Sequence, residues 1–283
     1  MLKKNDLLGL AKEIAPSGFE GGMSKEETDK HLAWRYNGSC ARVILSLLDP
    51  MHQLSKVSDA YASIFAGGRV FLADLPSGSG AAIVSILCTL YELRKSDVLP
   101  RDVLTIQIIA GEISKAARDY LAEQLTDLTP IIGSQAIFIE FEIVEWNALC
   151  KISTVDLMRK STLLSQNSTA KLLVVSNFSG FLENSGKWSK ARPQFDDIFL
   201  YSRDSLSTAI WIEPQRNTVA SFFERAIKWF DRLFGSSLGS KSDPEDVNSY
   251  AKTSVDCKQP IKEGCFPVRL TVVRFDLRLE ERK

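Results

Sequence analysis

The sequence predicts an α/β protein in which helices cover both faces of a doubly wound, mostly parallel β-sheet. Strand-like apolar segments alternate with helical segments over the middle of the chain, a rhythm that is typical of parallel sheets. Residues 1–66 carry apolar side chains at helical spacing before the first strand. The C-terminal segment has two strand candidates with no helix between them, which predicts an antiparallel hairpin.

The N-terminal region is predicted as a helical cap over residues 1–66, followed by a sheet domain over residues 67–283. Its helical segments are "LLGLAKEIA", "SKEETDKHLAWRYNGSCARVILSLLD" and "MHQLSKVSDAYASIFA". The second segment begins with a serine and acids, which is the composition of a helix start. We expect this helix to bury Trp34 and to leave Arg35 and Arg42 in water.

The sheet domain begins with the buried strand "RVFLADL", followed by a helix from about Gly80 to Lys95. "DVLTIQIIAGE" is the second strand, and "SKAARDYLAEQLTDL" is the second helix. Three more strands are "AIFIEFEIVEWNAL", "KLLVVSNFSGF" and "TAIWIEP", and the helix "NTVASFFERAIKWFDRLF" follows the last of them. "FPVRLTVVRFDLRL" is expected to pair with the segment before it across the short connection "QPIKEG".

Two long connections are predicted as loops. Ser179 to Asp204 is long for a connection in such a sheet, and Gly235 to Asp246 is rich in Gly and Ser. In the first, Trp188 lies among lysines and an arginine, a mixture that could stack a nucleic-acid base and hold phosphate. The favoured alternative is a surface loop with a docked tryptophan.

The composition argues against several classes of protein. The chain has 35 basic and 35 acidic residues, so it has no overall attraction to nucleic acid or membranes. Five scattered cysteines without a CxxC pair predict reduced thiols, and two histidines are too few to predict a metal site or a histidine triad. No run reaches the ~18 apolar residues of a membrane span, and no signal peptide is recognised. We therefore expect a cytoplasmic protein with no membrane partner.

A small-residue turn follows the first strand, in "VFLADLPSGSGAAIVSIL". Asp74 ends the strand, and Ser77, Gly78 and Gly80 lie in the turn before the next helix. Small residues allow a ligand to approach the unpaired N–H groups at a helix start. A tight turn without a ligand remains the alternative. Neither GxGxxG nor GxxxxGK[ST] is present, so an NAD-dependent oxidoreductase ranks last and P-loop ATP chemistry is not supported.

A second acid, Glu112, ends the second strand in "IIAGEISKAA". An acid at that point can accept hydrogen bonds from both hydroxyls of a ribose. The alternative is a first-turn acid that the helix dipole favours. The separation from Asp74 is 38 residues (112 minus 74), against ~20 in a dinucleotide-binding fold, and the long first helix and its following loop absorb the difference.

The series "VFLADLPSGSGAA", "IIAGEISKAARDYLAEQL", "FEIVEWNAL" and "LLVVSNFSGFL" resembles the motifs of class I S-adenosylmethionine-dependent methyltransferases. The resemblance covers roughly residues 68–280. It implies a Rossmann-like, seven-stranded sheet whose last strand is antiparallel, with N-terminal helices that cap the pocket. It also implies S-adenosylmethionine as the cofactor.

The resemblance implies roles for nine residues of this sequence. Four of them lie against the methionine part of the cofactor, two lie near its adenine, one grips its ribose and one ends strand four where substrate and methyl meet. The ninth, Asn177, is the candidate catalytic residue, which would position the nucleophile through its amide. The four residues near the methionine part are Asp74, Ser77, Gly78 and Gly80, and the two near the adenine are Ile113 and Asn147. Glu112 is the residue that grips the ribose, and Ser176 is the one that ends strand four.

The sequence departs from the family pattern at three points. Pro76 replaces the first glycine of the turn motif and removes a backbone donor. Asn147 stands where Asp is commoner, and "SNFS" is not the NPPY-type box of enzymes that methylate amino groups in DNA. The leading hypothesis is methyl transfer to an unknown acceptor, with RNA slightly favoured over protein or a small molecule. A non-catalytic module that acts through cofactor or protein binding is the alternative.

A weaker likeness lies in "SDAYASIFAGGRVFLADLPSGSG" and "AIWIEPQRNTVASFFERAI". These segments are similar to the methyltransferase-like family associated with the small ribosomal subunit. The metal-binding cysteines of that family are not matched here, so this likeness adds no metal to the prediction. The sequence makes no prediction of the oligomeric state or of a general base.

Overall fold

The computed structural model describes residues 1–16, 22–183, 186–234 and 250–277, apart from the side chain of Asn217. The described residues form one seven-stranded sheet, and ten helices lie around it in the same part of the chain. The strands are β1 (Arg69–Asp74), β2 (Leu104–Glu112), β3 (Ile137–Glu145), β4 (Ala170–Ser176), β5 (Ser207–Pro214), β6 (Ala251–Lys258) and β7 (Cys265–Asp276). The helices are α1 (Leu8–Lys12), α2 (Lys25–Trp34), α3 (Tyr36–Leu48), α4 (Ser55–Phe65), α5 (Ala81–Lys95), α6 (Lys115–Gly133), α7 (Lys151–Ser165), α8 (Ser179–Glu183), α9 (Lys187–Tyr201) and α10 (Asn217–Phe234).

The strands are ordered β3-β2-β1-β4-β5-β7-β6 across the sheet. The first five are parallel, and β7 runs antiparallel to both β5 and β6. This order confirms the predicted fold class, a doubly wound, mostly parallel sheet with an antiparallel C-terminal hairpin. From β1, the chain adds β2 and β3 on one side of the sheet and β4 and β5 on the other, so β1 and β4 flank a switch point. Such a switch point opens a crevice beyond the carboxyl ends of those strands.

Two hydrophobic cores cover the two faces of the sheet. Along β1, Val70 and Leu72 belong to one core, whereas Phe71 and Ala73 belong to the other, because successive side chains of a strand point to opposite faces. Helices α3, α4, α5 and α6 contribute to the first core, and α7, α9 and α10 contribute to the second. Burial on both faces explains why the central strands are almost continuously apolar.

The second N-terminal segment, predicted as a single helix, is two helices in the structure. α2 begins with a capping box, in which the Ser24 hydroxyl accepts from Glu27 N–H and the Glu27 carboxylate accepts from Ser24 N–H. Arg35 separates α2 from α3, with a φ of −116° that interrupts the helical geometry. The break redirects α3 so that it packs along α5, next to the carboxyl edge of the sheet.

The loop prediction for Ser179 to Asp204 is wrong, because this segment forms α8 and α9. α9 buries Phe195 and Phe199, whose four-residue spacing places them on one side of the helix. Trp188 docks into the same core, with its ring centroid 5.3 Å from that of Trp229. The tryptophan is therefore a packing residue, as the favoured alternative had it. The other predicted loop, residues 235–246, lies outside the described residues.

No helix in the described part of the chain combines the length and the apolar composition that crossing a bilayer requires.

Candidate functional site

The turn between β1 and α5 is closely packed. Gly78 and Gly80 have φ values of +52° and +86°, in the left-handed region that favours glycine. A Cβ on Gly80 would lie 2.3 Å from Cδ1 of Leu121 on α6, whereas a Cβ on Gly78 would meet no atom within 4 Å. Ser77 is buried, and its N–H donates to the carbonyl of Gly111. Backbone geometry and helix packing therefore account for Gly80, and open space adjoins Gly78.

Glu112 joins this turn to the loop after β2. Its Oε2 accepts from Gly78 N–H at 3.0 Å, and its Oε1 accepts from Ser114 N–H at 2.8 Å. The side chain is buried, and burial raises its pKa although both N–H donors act in the opposite direction. A carboxylate offers about four acceptor positions, so two remain after these bonds.

Asp74 is fully buried at the end of β1, beside Glu112. Neither of its carboxylate oxygens has a hydrogen-bond partner among the described residues. Burial raises its pKa well above the ordinary value and the negative charge of Glu112 raises it further, whereas the backbone N–H of Ile83 acts in the opposite direction. A buried carboxylate without a partner is costly, so this position requires a proton or a positively charged group. We call Asp74 and Glu112 the carboxylate pair.

The predicted adenine contacts lie in the loops after β2 and β3. Ile113 is half-buried, and its carbonyl accepts from Arg118 at 2.8 Å. The Asn147 amide oxygen accepts from Leu149 N–H at 2.9 Å, so the side chain turns its own loop toward α7. Local contacts therefore hold the Asn147 side chain and the Ile113 backbone, and these contacts need no ligand.

Asn177 follows β4 and is held by a residue that the sequence did not single out as functional. Its amide oxygen accepts from Nε and Nη2 of Arg42 on α3, at 3.0 and 2.6 Å. The residue has a φ of +55°, and its N–H donates to the carbonyl of Ile212. Ser176, just before it, is half-buried at the end of β4. The expectation that Arg42 lies in water is wrong, because this arginine reaches across to the sheet edge.

Burial lowers the pKa of Arg42 to about 10, and the nearby Glu213 carboxylate acts against this shift. Glu213 lies near the end of β5 and is buried. Its Oε1 accepts three N–H donors at 2.8 Å, those of Phe178, Ser179 and the Trp211 ring. Burial raises the pKa of this carboxyl group too. One signal for Glu213 was available in the sequence, since it is an acid at the end of a buried strand, like Asp74.

A cavity of about 630 Å³ opens beside these residues. Arg42, Asn177 and Glu213 line it, together with parts of the N-terminal region, α8, the start of α10 and the β6–β7 connection. Asp74, Ser77, Gly78, Gly80 and Glu112 do not line it. We call it the arginine cavity. Of the nine residues predicted for the site, only Asn177 lines the arginine cavity.

Within the described part of the chain, no three His, Cys, Asp or Glu side chains cluster closely enough to hold a metal ion. The five cysteines are present as free thiols.

Comparison with known proteins found no matching family model and no matching curated protein. Solved structures do match. A candidate S-adenosyl-L-methionine-dependent methyltransferase from Methanococcus maripaludis is 9% identical, covers 96% of this chain and 100% of its own, and has a TM-score of 0.42. A candidate class I S-adenosylmethionine-dependent methyltransferase from Listeria monocytogenes is 8% identical, covers 93% and 71%, and has a TM-score of 0.41.

A third structure, a glycopeptide N-methyltransferase complexed with sinefungin, is 8% identical over 79% of this chain and 70% of its own, with a TM-score of 0.31. All three TM-scores lie below 0.5, and all three identities lie below 12%. We therefore base the function on the residues of this chain.

Proposed function

We propose that the protein is an S-adenosylmethionine-dependent methyltransferase. The observation that carries the proposal is Asp74, a fully buried carboxylate with no partner in the described residues, next to the acid Glu112. The cofactor brings a sulfonium and an ammonium group, and it therefore supplies the positive charge that the carboxylate pair lacks. The residues present fit such a cofactor.

The position of the pair in the sheet supports the same proposal. Asp74 ends β1, whose neighbours are β2 and β4, so it borders the switch point of the sheet. Ligands of doubly wound sheets bind at this point. Asp74 and the turn Ser77–Gly80 would hold the amino-acid part of the cofactor, and Glu112 has two acceptor positions left for ribose hydroxyls. Ile113 and Asn147 border the adenine end.

When bound, the cofactor supplies an activated methyl group, and the protein has to orient the acceptor. Asn177 is suited to this task. Because its Oδ1 accepts two N–H groups of Arg42, its orientation is fixed, and its amide N–H₂ donates to no described residue. That amide would hold the nucleophilic atom of the acceptor next to the end of β4, close to Ser176.

A non-catalytic module is the second candidate, and three observations favour it. Both oxygens of Glu112 already accept backbone N–H groups, Asn177 is engaged by Arg42, and the arginine cavity does not reach the carboxylate pair. A protein with this arrangement could use the fold as a scaffold and act through its surfaces.

The remaining expectations belong to this proposal. Residues 1–66 would act as the cap of a methyltransferase domain that spans residues 67–283, and the protein would work in the cytoplasm. The three matched structures give no support to the ribosomal-subunit likeness, so the acceptor is not assigned from it. The chemistry of the acceptor is argued from the arginine cavity below.

Calorimetry with S-adenosylhomocysteine and S-adenosylmethionine tests the proposal. We expect micromolar binding to the wild type and at least tenfold weaker binding to Asp74→Asn and Glu112→Gln, because each removes a negative charge next to the cofactor. Glu140→Gln, an exposed acid on β3, is the matched control and should bind as the wild type does. NADH serves as a second ligand and is expected not to bind.

Two results would contradict the proposal. Absence of binding to a folded wild type would favour the non-catalytic module, and binding of NADH in its place would favour the oxidoreductase. If all three variants bind the cofactor as tightly as the wild type does, the cofactor lies away from the carboxylate pair.

A further inference from the structure

Four cationic side chains line the arginine cavity, and none of them forms a salt bridge with a residue that the structure describes. Arg42 donates only to neutral side chains. Arg35 and Lys262 donate to backbone carbonyls, at 3.3 and 2.9 Å. Arg216 is exposed to the cavity and makes no side-chain hydrogen bond or salt bridge within the described ranges. The cavity wall therefore presents positive charge without a matching anion.

The acids of the same wall are mostly engaged. Glu183 pairs with Arg225 at 2.6 Å, outside the set of cavity cations. Glu213 uses Oε1 for three N–H donors. Glu13 is exposed to solvent, where its charge is screened. Among the described residues, none of these acids forms a salt bridge with a cation of the cavity wall, although the charge of Glu213 acts on Arg42.

The cations are also close enough to affect one another. Burial is the main reason that the pKa of Arg42 falls to about 10, and the charges of Arg216 and Arg35 lower it further. Glu213 acts in the opposite direction, and its effect on Arg42 is larger than that of Arg216 or of Arg35, so burial accounts for the net fall. A bound anion would oppose the repulsion of Arg42 by Arg216 and Arg35, as Glu213 already does in part.

We propose that the arginine cavity binds a small molecule that carries a carboxylate or phosphate group, which Arg42 and Arg216 contact. The planar guanidinium group matches the geometry of both anions. A volume of about 630 Å³ lies within the usual range of small-molecule pockets, ≈ 300–1,000 Å³. Phe181 and Phe266 add apolar surface for the body of the ligand.

The identity of this molecule as the methyl acceptor rests on the proposed function. Asn177 lies on the same cavity wall as Arg42, so an anion held by the arginines would bring the rest of the molecule next to the Asn177 amide. The anion would serve as the binding handle, and methyl transfer would occur at another atom of the acceptor. This arrangement assigns specificity to the N-terminal helices and to the start of α10.

The test measures the binding of phenyl phosphate and benzoate by calorimetry at constant ionic strength, with benzamide as the uncharged analogue. We expect both anions to bind the wild type and benzamide to bind at least tenfold more weakly. In Arg216→Gln the anions should bind about tenfold more weakly, because one charged hydrogen-bonding group is lost. Arg159→Gln, an exposed arginine on α7 away from the cavity, should leave the affinities unchanged.

Other outcomes overturn the inference in distinct ways. Equal binding of the anions to the wild type and both variants, or no binding at all, excludes the arginine cavity as an anion site. If Arg216→Gln weakens the binding of S-adenosylhomocysteine as much as it weakens the binding of the anions, the arginines hold the carboxylate of the cofactor. If a single-stranded RNA binds, loses affinity in Arg216→Gln and is not displaced by phenyl phosphate, the ligand of the cavity is a nucleic acid and not a small molecule.

The two proposals fail separately. If S-adenosylhomocysteine does not bind the wild type, the methyltransferase proposal is wrong, and phenyl phosphate still decides whether the cavity holds an anion. If the cofactor binds and the anions do not, the methyltransferase proposal stands and the anionic acceptor is wrong.

Discussion

The carboxylate pair and the arginine cavity lie along the same edge of the sheet but leave opposite charges without partners. In the pair, Asp74 is buried and accepts no hydrogen bond from a described residue. In the cavity, the buried acid Glu213 accepts three hydrogen bonds, and the four cations of the wall form no salt bridge with a described residue. A buried acid therefore does not by itself indicate a ligand site, because hydrogen bonds from the protein can satisfy it.

The unmatched charge is the informative quantity in both regions. The carboxylate pair needs a proton or a cation, and the cations of the arginine cavity have no ionic partner among the described residues. A methyltransferase that takes an anionic acceptor meets both needs, because its cofactor carries a sulfonium and its acceptor carries the negative group. The three predictions below change one region at a time and are ordered by the size of the expected effect.

Removing the acid of the cavity wall should produce the largest effect. Glu213→Leu leaves three buried N–H donors without an acceptor, those of Phe178, Ser179 and the Trp211 ring. Each unsatisfied donor costs ≈ 1–3 kcal/mol, so we expect the free energy of unfolding to fall by about 4 kcal/mol. Urea denaturation followed by tryptophan fluorescence measures the change.

Glu213→Gln is the matched control, since the amide oxygen can replace Oε1. We expect it to cost less than about 1.5 kcal/mol, the size of one ordinary hydrogen bond. If Glu213→Leu costs no more than Glu213→Gln, the three hydrogen bonds do not stabilise the loop, and Glu213 becomes a candidate for binding instead.

A methyl group in the β1–α5 turn should have the next largest effect. Gly80→Ala adds a Cβ that meets Leu121 at 2.3 Å, at a φ of +86°. The left-handed geometry and the overpacking together cost about 2 to 3 kcal/mol. Gly180→Ala places the same methyl group on the wall of the arginine cavity, where no atom lies within 4 Å, and should change stability by less than about 0.5 kcal/mol.

Urea denaturation of the two alanine variants compares the tight region with the open one. Equal losses of stability would mean that the cavity is as closely packed as the turn, and the distinction between the two regions would fail. If Gly80→Ala costs less stability when it is introduced into Leu121→Ala than when it is introduced into the wild type, the clash rather than the backbone conformation dominates the cost.

The sequence predicted the carboxylate pair better than the cavity, for a physical reason. Asp74 and Glu112 each follow a buried strand, and adjacent parallel strands end at one edge, so their proximity follows from local pattern. Arg42 and Asn177 are 135 residues apart, and their contact depends on the path of α3 after the break at Arg35. No local pattern encodes that path.

The same limit applies to the Ser179–Asp204 segment. Its length suggested a loop, but Ala191, Phe195 and Ile198 repeat at helical spacing in the middle of it. That periodicity was available in the sequence and was outweighed by the expected length of a connection. The cavity itself could not be predicted, because its walls come from the N-terminal region, β4, β5 and the C-terminal hairpin together.

The smallest expected effect concerns the charge of Asp74. Its pKa is raised in the folded state, so the folded protein keeps a proton that the unfolded chain releases above its ordinary pKa of 3.8. The stability contributed by this group is complete below that pH and is lost as the pH rises toward the folded-state pKa. Asp74→Asn removes the titration, so its stability relative to the wild type should increase with pH.

We expect the difference in the free energy of unfolding between Asp74→Asn and the wild type to be larger at pH 7 than at pH 5. Urea denaturation at both values measures it, and Asp119→Asn, an exposed acid on α6, should show no such change. S-adenosylhomocysteine should reduce this difference, because it binds the wild type at least tenfold more tightly through its ammonium group and therefore stabilises the wild type more. A difference that stays constant with pH would mean that Asp74 is already paired in solution, and the central charge argument for a cationic cofactor would be lost.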